Sequence, residues 1–520
     1  MRISRRGFLK RAAGLAPAVL SPSLILGGGG PHPGYAADAT EGRRLFTLGV
    51  ASGDPWPDSV VLWTRLAPDP LNGGGMGREA VEVAWDIAVD DKMSRIVRTG
   101  TALARPEFGH SVHVEADGLE PGRWYWYRFR TPREESRIGR TRTMPAPGSM
   151  PPRLRFATAS CQSWESGFYT AYRHMAEEDL DLVLFLGDYI YEGASDGGGA
   201  RPLNKGGTET VEEYRNRYAC YRTDAHLQAC HANFPWVVTP DDHEVANDYA
   251  TFDGGPDWTR ERFIRLRAAA YRAYYEHMPL RRSSIPNGPD MPLYRQISFG
   301  RLAAFDVLDT RQYRDSQPCG GWRSEACADS LDPAKTITGA AQEAWLFERL
   351  RDAPATWNVV AQQVPMMQRL IPAEDKRLVL AMDKWDGYIG SRNRLFDALA
   401  RSRTSNPIVL SGDIHSGWIG DLKADFYRES SPTLGTEFVC SSIASGGDGR
   451  AETSLTPELL AINPHLRFNA NRRGYLRTEI TPALWRSDFR LVDYIGQPGA
   501  PVRTAGSCVI ESGRPGALMV

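Results

Sequence analysis

The chain has 520 residues, more than one simple domain accommodates, and its 42% hydrophobic and 24% charged residues are those of an ordinary globular protein. Disorder and collagen-like structure are excluded. A formal net charge of -1, with no basic block in the body of the chain, gives no footprint for sequence-specific nucleic-acid binding and favours small, roughly neutral partners.

The chain opens MRISRRGFLK, and the apolar, small-residue run over 12–26 that follows is short of a bilayer span. Arg5-Arg6 ahead of Gly7-Phe8-Leu9-Lys10 resembles a twin-arginine export signal, and Gly34-Tyr35-Ala36-Ala37 offers small residues for cleavage. Residues 1–37 therefore read as a signal peptide, with a signal anchor as the alternative. Its removal strips Arg2, Arg5, Arg6, Lys10 and Arg11 and takes the net charge from -1 to -6. The expectation is a protein that folds in the cytoplasm around a metal or cofactor, meets the twin-arginine translocase, and ends in the periplasm or outside the cell. No other stretch is long enough for a permanent membrane anchor.

Residues 44–143 read as short alternating strands (SVVLWTRL, VEVAWDIAV, HSVHVEA, RWYWYRFR) separated by Pro, Gly and Asp clusters, an all-β sandwich pattern. Leu119-Glu120-Pro121-Gly122 before Trp124-Tyr125 looks like the turn into a late strand of a fibronectin type III or immunoglobulin-like domain, where a Tyr hydroxyl ties back to the turn. A Pro/Gly-rich linker follows over 144–152. From 151 to about 510 the grammar is α/β: RLRFATAS, a helix over about 167–178, LDLVLFLGD, WVVTPDDHE, a helix over about 257–276, RLAAFDVLD, WNVVAQQV and PIVLSGDIH. Beyond about Thr436, strand-like segments return and predict a second sheet completing the core. Several apolar runs end directly in Cys161, Asp188, Asp242 or Asp413, which predicts polar groups at the carboxyl ends of core strands, where open α/β sheets bind ligands.

Seven cysteines in a chain read as bound for an oxidising compartment leave one thiol over. The expected pairs are Cys220 with Cys230, Cys319 with Cys327 and Cys440 with Cys508, with Cys161 free.

Three motifs carry metal-competent groups. Leu184-Phe185-Leu186-Gly187-Asp188-Tyr189-Ile190-Tyr191 delivers a carboxylate able to join two ions, with a phenol three residues on. Thr239-Pro240-Asp241-Asp242-His243-Glu244-Val245-Ala246-Asn247 crowds acids, an imidazole and an amide at a strand end, where capping of a helix amino-terminus is the structural alternative. In Ser411-Gly412-Asp413-Ile414-His415, residues i and i+2 of an extended segment would share one side and could face one cluster. Cys161 at the end of FATAS adds a fourth strand end, although a free core cysteine is the commoner fate of such a residue.

Four strand ends in the order Cys, Asp…Tyr, Asp-His…Asn, Asp-x-His make residues 151–494 resemble the PhoD-type alkaline phosphatases and phosphodiesterases of the metallophosphoesterase superfamily, and 44–143 their amino-terminal β domain. The resemblance implies an αββα sandwich of two mixed sheets flanked by helices, preceded by the small β-sandwich. It implies Cys161, Asp188, Tyr191 and His415 as ligands of one metal, and Asp242 and Asp413, with Asn247 nearby, on an oxygen-rich side where the wider superfamily has Asn and His. Iron(III) suits the first set and one or two calcium ions the second, with Mn2+, Mg2+ or Zn2+ as the alternative. The implied reaction is in-line attack on phosphorus by a metal-activated water, with His243 stabilising the transferring group or protonating the leaving alkoxide. A small-molecule or lipid phosphoester is the expected substrate. Monoesterase, phosphodiesterase and phospholipase D-like readings share this chemistry; a secreted surface-binding protein working through Trp56, Trp63, Trp124 and Trp126 is the non-enzyme alternative.

Overall fold

Consecutive side chains of a strand point to opposite faces, so strands without a polar alternation need apolar cover on both. Leu154–Ala159 and Leu182–Phe185 meet that condition: Phe156, Leu182 and Leu184 enter one core, whereas Ala157, Val183 and Phe185 enter another. The computed structural model describes residues 44–203, 206–351, 353–450 and 456–520; the signal-peptide reading lies outside them.

Leu154–Ala159, Leu182–Phe185 and Pro235–Val238 run parallel at the centre of a ten-stranded sheet. Facing it is an eight-stranded sheet whose parallel centre is Ala303–Val307, Trp357–Ala361, Pro407–Ser411 and Thr433–Val439. Between them lies a core containing Phe156, Leu184, Phe305, Val359, Leu410, Phe438 and Trp485. Helices Thr170–Glu177, Val211–Arg222, Ala225–Asn233 and Arg260–His277 supply side chains to the core on the outer face of the first sheet, and Ala340–Arg351 and Ile389–Ser402 do so for the second. This is the expected αββα arrangement. Of the strand-like segments expected beyond about Thr436, Thr433–Val439 lies in the second sheet, but Gly474–Ile480 and Leu484–Val492 extend the first, followed by Val502–Glu511, through the antiparallel pairing of Gly474–Ile480 with Leu154–Ala159.

The amino-terminal strands form two layers around Val50, Leu62, Val83, Ile87, Val114, Tyr127 and Phe129. Trp124–Arg130 alternates buried and half-buried residues, and the Tyr125 hydroxyl accepts the Glu120 backbone N–H at 2.8 Å, as expected for the turn. One layer is the four-stranded sheet Ile96–Ala104, Val81–Ala88, Trp124–Arg130 and Gly139–Arg142. The other is not separate: Val50–Gly53 pairs in parallel with Pro235–Val238, so Val50–Gly53, Val60–Arg65 and Ser111–Ala116 prolong the ten-stranded sheet. Pairing with the last parallel strand satisfies an edge that would otherwise leave backbone groups unbonded.

The cysteine expectation holds for one pair and for the odd thiol. Cys319 and Cys327 are bridged and Cys161 is free, but Cys220, Cys230, Cys440 and Cys508 are free as well. Cys440 and Cys508 sit on facing sheets, with Cys440 Sγ 3.4 Å from Ser160 Oγ. Cys220 and Cys230 lie on successive helices, one half-buried and the other in the core. Proximity along the chain does not bring two Cβ atoms into bridging range. No helix among the described residues is long and apolar enough to cross a membrane.

Candidate metal centre

The carboxyl ends of the parallel strands in both sheets converge at one place. Cys161 lies two residues beyond Leu154–Ala159, Asp188 three beyond Leu182–Phe185, Asp242 four beyond Pro235–Val238, and Asp413 two beyond Pro407–Ser411. Cys161, Asp188, Asp413 and His415 all have left-handed backbones, with φ of 57°, 57°, 65° and 56°. Non-glycine residues seldom adopt that conformation, and its clustering here marks a place where donor geometry overrides local preference. Gly187 has φ 102°, and a Cβ there would lie 2.4 Å from Asp241 Cβ. The glycine of the Gly-Asp motif thus allows two strand ends to approach.

Three groups of donor atoms form, each with its atoms within 4.8 Å of one another: Cys161, Asp188 and His415; Asp188, Asp242 and His243; and Asp241, Asp242 and Asp413. Asp188 is common to the first two. The Tyr191 hydroxyl lies 3.0 Å from both Asp188 Oδ2 and His415 Nε2 and accepts from Ser445 Oγ at 2.7 Å, so the phenol belongs with the first group. Asp413 and His415, expected to share one side of an extended segment, instead lie in a bend and join different groups. The Asp242 segment is likewise a turn and not a helix start: Asp242 accepts the N–H groups of His243 at 3.0 Å and Asp248 at 2.6 Å. Asn247 is exposed, and its backbone N–H donates to Glu192 Oε1 at 2.8 Å.

Burial sets the electrostatics. It raises the pKa of Asp188, against the pull of His243, and raises Cys161 and Tyr191, reinforced in both by the Asp188 charge. His415 is pushed down to about 3 by burial, with Arg473 and His243 adding to it. His243 is the opposite case: burial lowers its pKa, but the carboxylates of Glu192, Asp188 and Asp242 outweigh that and lift it well above the ordinary value. Its Nδ1 is 2.7 Å from Glu192 Oε2, and its ring lies against Tyr191 at 4.1 Å between centroids. Crowded acidic donors in low dielectric are unfavourable unless cations compensate them. Asp188 Oδ1 is buried without a hydrogen-bond partner, and the donors fit metal binding: a thiol, a phenol, an imidazole and a carboxylate on one side, carboxylates on the other.

A profile described as PhoD-like phosphatase matches residues 156–489, and one described as its amino-terminal domain matches 33–145. The chain belongs to the PhoD-like phosphatases. It is 50% identical over 476 residues to alkaline phosphatase D of Bacillus subtilis strain 168, covering 91% of this chain and 82% of that one. The solved structure titled "Structure of PhoD" superposes with a TM-score of 0.90 at 49% identity, covering 93% of each chain. This PhoD-like phosphatase is a phosphoric ester hydrolase, and its donor clusters are candidate metal-binding sites. The non-enzyme alternative fails with that result; of its aromatic residues Trp63 is fully buried, and Arg281 and Arg140 lie over Trp56 and Trp124.

Several residues at the site escaped sequence reasoning. Glu244 accepts the N–H groups of Asp188, Tyr189 and Asp241, locking together the two loops that carry them. Arg311, fully buried, puts Nε 2.5 Å from Asp241, Nη1 2.9 Å from Asp383, and Nη2 3.3 Å from Asp413 and 3.7 Å from Asp242. Lys384 bridges Asp383 and Asp413. The signal for Arg311 was present: Asp309-Thr310-Arg311 ends the apolar run of Ala303–Val307 as the other polar groups end theirs.

Proposed function

We propose that the chain is an exported alkaline phosphatase using iron(III) beside Cys161, Asp188, Tyr191 and His415 and calcium beside Asp188, Asp242 and Asp413, with Asn247 at the rim. The observation that carries this reading is a run of linked donor groups of different chemistry: Asp188 joins the group of Cys161 and His415 to one with Asp242 and His243, and Asp242 joins that one to the carboxylates of Asp241 and Asp413. Thiol and phenol donors with one carboxylate suit a trivalent iron, and an all-carboxylate set suits a hard divalent ion. Bound there, the cations would supply positive charge for the phosphoryl oxygens and lower the pKa of the attacking water.

The chain's own groups do the remainder. His243, held by Glu192 and surrounded by carboxylates that favour its protonated form, is positioned to donate a proton to the leaving alkoxide. Ser445 and Glu244 fix the phenol and the backbone of Asp188, so neither must reorganise during turnover. Arg311 gathers four carboxylates from three loops and keeps them together.

Elemental analysis of natively exported protein tests the metal assignment; stoichiometric zinc with neither iron nor calcium rejects it. Rates on aryl phosphate monoesters and diesters test the choice of monoester, which fails when only diesters turn over. Cleavage after residue 37 and dependence on the twin-arginine translocase test the export route.

A further inference from the structure

Most cations around the metal centre are already committed. Arg311 is held by four carboxylates, Arg314 Nη2 is 2.6 Å from Asp383, and Lys384 spans Asp383 and Asp413. Arg473 donates to the carbonyls of His415, Gly446 and Gly447. Arg369 is not. Its Nε and Nη1 are buried and have no hydrogen-bond partner, and its guanidinium lies over the Trp418 ring at 5.2 Å.

Its loop is held in place beside the strand end that carries Asp413. The loop carrying it leaves the carboxyl end of Trp357–Ala361, next to the strand that delivers Asp413. Glu437 accepts the N–H groups of Met366 and Met367, and Asp386 Oδ2 that of Arg369 itself at 2.9 Å. Trp418, the ring it covers, is three residues beyond His415. The nearby acids are engaged elsewhere: Asp386 Oδ1 accepts from Arg392, Glu437 from backbone amides and Ser411, and Asp413 lies against Arg311 and Lys384. Burial lowers the Arg369 pKa; the Asp386 charge opposes this, Arg323 adds to it, and Asp413 and Glu437 oppose it more weakly. Arg323 is exposed and stacked on Trp322 at 4.4 Å, on the loop braced by the Cys319–Cys327 disulfide.

Two buried guanidinium N–H groups with no hydrogen-bond partner are costly for folding alone, and a planar fork of N–H donors matches phosphate oxygens. We propose that Arg369, with Arg323 at the rim, binds a phosphate oxyanion of the substrate and sets its affinity. This rests on the hydrolase reading and adds a residue to it. The oxyanion is either the phosphoryl group that reacts or a second phosphate on the same molecule.

The test uses the full metal-loaded enzyme and its Arg369→Met and Arg369→Lys variants. Binding of inorganic phosphate is measured by calorimetry, which needs no turnover and so separates failure of this proposal from failure of the hydrolase reading. KM and kcat are measured on an aryl monophosphate and on the same ester bearing a second phosphate. For Arg369→Met the expected result is weakening of inorganic phosphate binding, or of the bisphosphate alone, by about 10- to 100-fold, the loss of a charge-assisted hydrogen-bonded contact. Metal content stays unchanged, the melting temperature is no lower, and Arg369→Lys recovers part of the affinity. Loss on all three ligands assigns the reacting group; loss confined to the bisphosphate assigns the second phosphate. Unchanged affinity for every ligand overturns the proposal, as does a lowered melting temperature with proportionate loss of metal.

Discussion

Replacing Asp188 by Asn preserves volume and removes one charge, and the structure gives opposite expectations for the protein with and without metal. Asp188 is 2% exposed, its Oδ1 has no partner, and burial raises its pKa. An acid whose pKa is raised on folding loses stability as pH climbs from its unfolded value through its folded one. At neutral pH, removing the charge therefore stabilises the chelated protein, by about 1–3 kcal/mol, the penalty for an unsatisfied buried polar group. With metals added the order inverts. The native protein gains about 2.7 kcal/mol at a ligand concentration one hundred times Kd, whereas the variant lacks the carboxylate common to both donor groups and gains little. Loss of about 4 kcal/mol of cationic stabilisation lowers kcat/KM on an aryl phosphate roughly 1000-fold. Denaturant unfolding with chelator and with iron plus calcium, together with elemental analysis, reads these effects. A variant less stable than native protein in chelator, or one that keeps both metals, would refute the reasoning.

Glu192→Gln removes the foremost carboxylate opposing burial at His243, so the imidazolium releases its proton at lower pH. If His243 donates to the leaving group, the alkaline limb of the pH–rate profile moves to lower pH; a stationary limb excludes that role. Titration of unreduced, denatured protein should give five thiols, rising to seven on reduction; the single thiol left by three bridges would contradict the structure. Trp485 is fully buried among Phe156, Trp357 and Phe438 between the sheets, and Trp485→Ala should cost about 3–5 kcal/mol in equilibrium unfolding. A loss below 1 kcal/mol would show that the two sheets repack without it.

The order of elements was legible because parallel strands buried on both faces write themselves as uninterrupted apolar runs, and the end of each run is visible as a change in chemistry. Leu182–Phe185 before Gly187-Asp188 and Pro407–Ser411 before Asp413 are of this kind. Long-range choices leave no such mark. That Val50–Gly53 pairs with Pro235–Val238 depends on which edge lies open after the catalytic sheet forms, and both strands would look the same in an isolated sandwich. Arg311 among four carboxylates depends on loops 70 to 100 residues apart meeting around it, as do the free thiols of Cys440 and Cys508 on facing sheets.

At the ligands the pattern rules fail in a way that carries information. An alternating strand places Asp413 and His415 on one side; the left-handed backbones at both residues divide them between two donor groups. Glycine would relieve that conformation at Cys161, Asp188, Asp413 or His415, but at the loss of a thiol, a carboxylate or an imidazole. The fold retains four costly backbone conformations because each holds a donor that no unstrained residue could supply from the same position. Strain of this type gathers at binding sites, and the buried, unpaired oxygen of Asp188 lies within the same cluster.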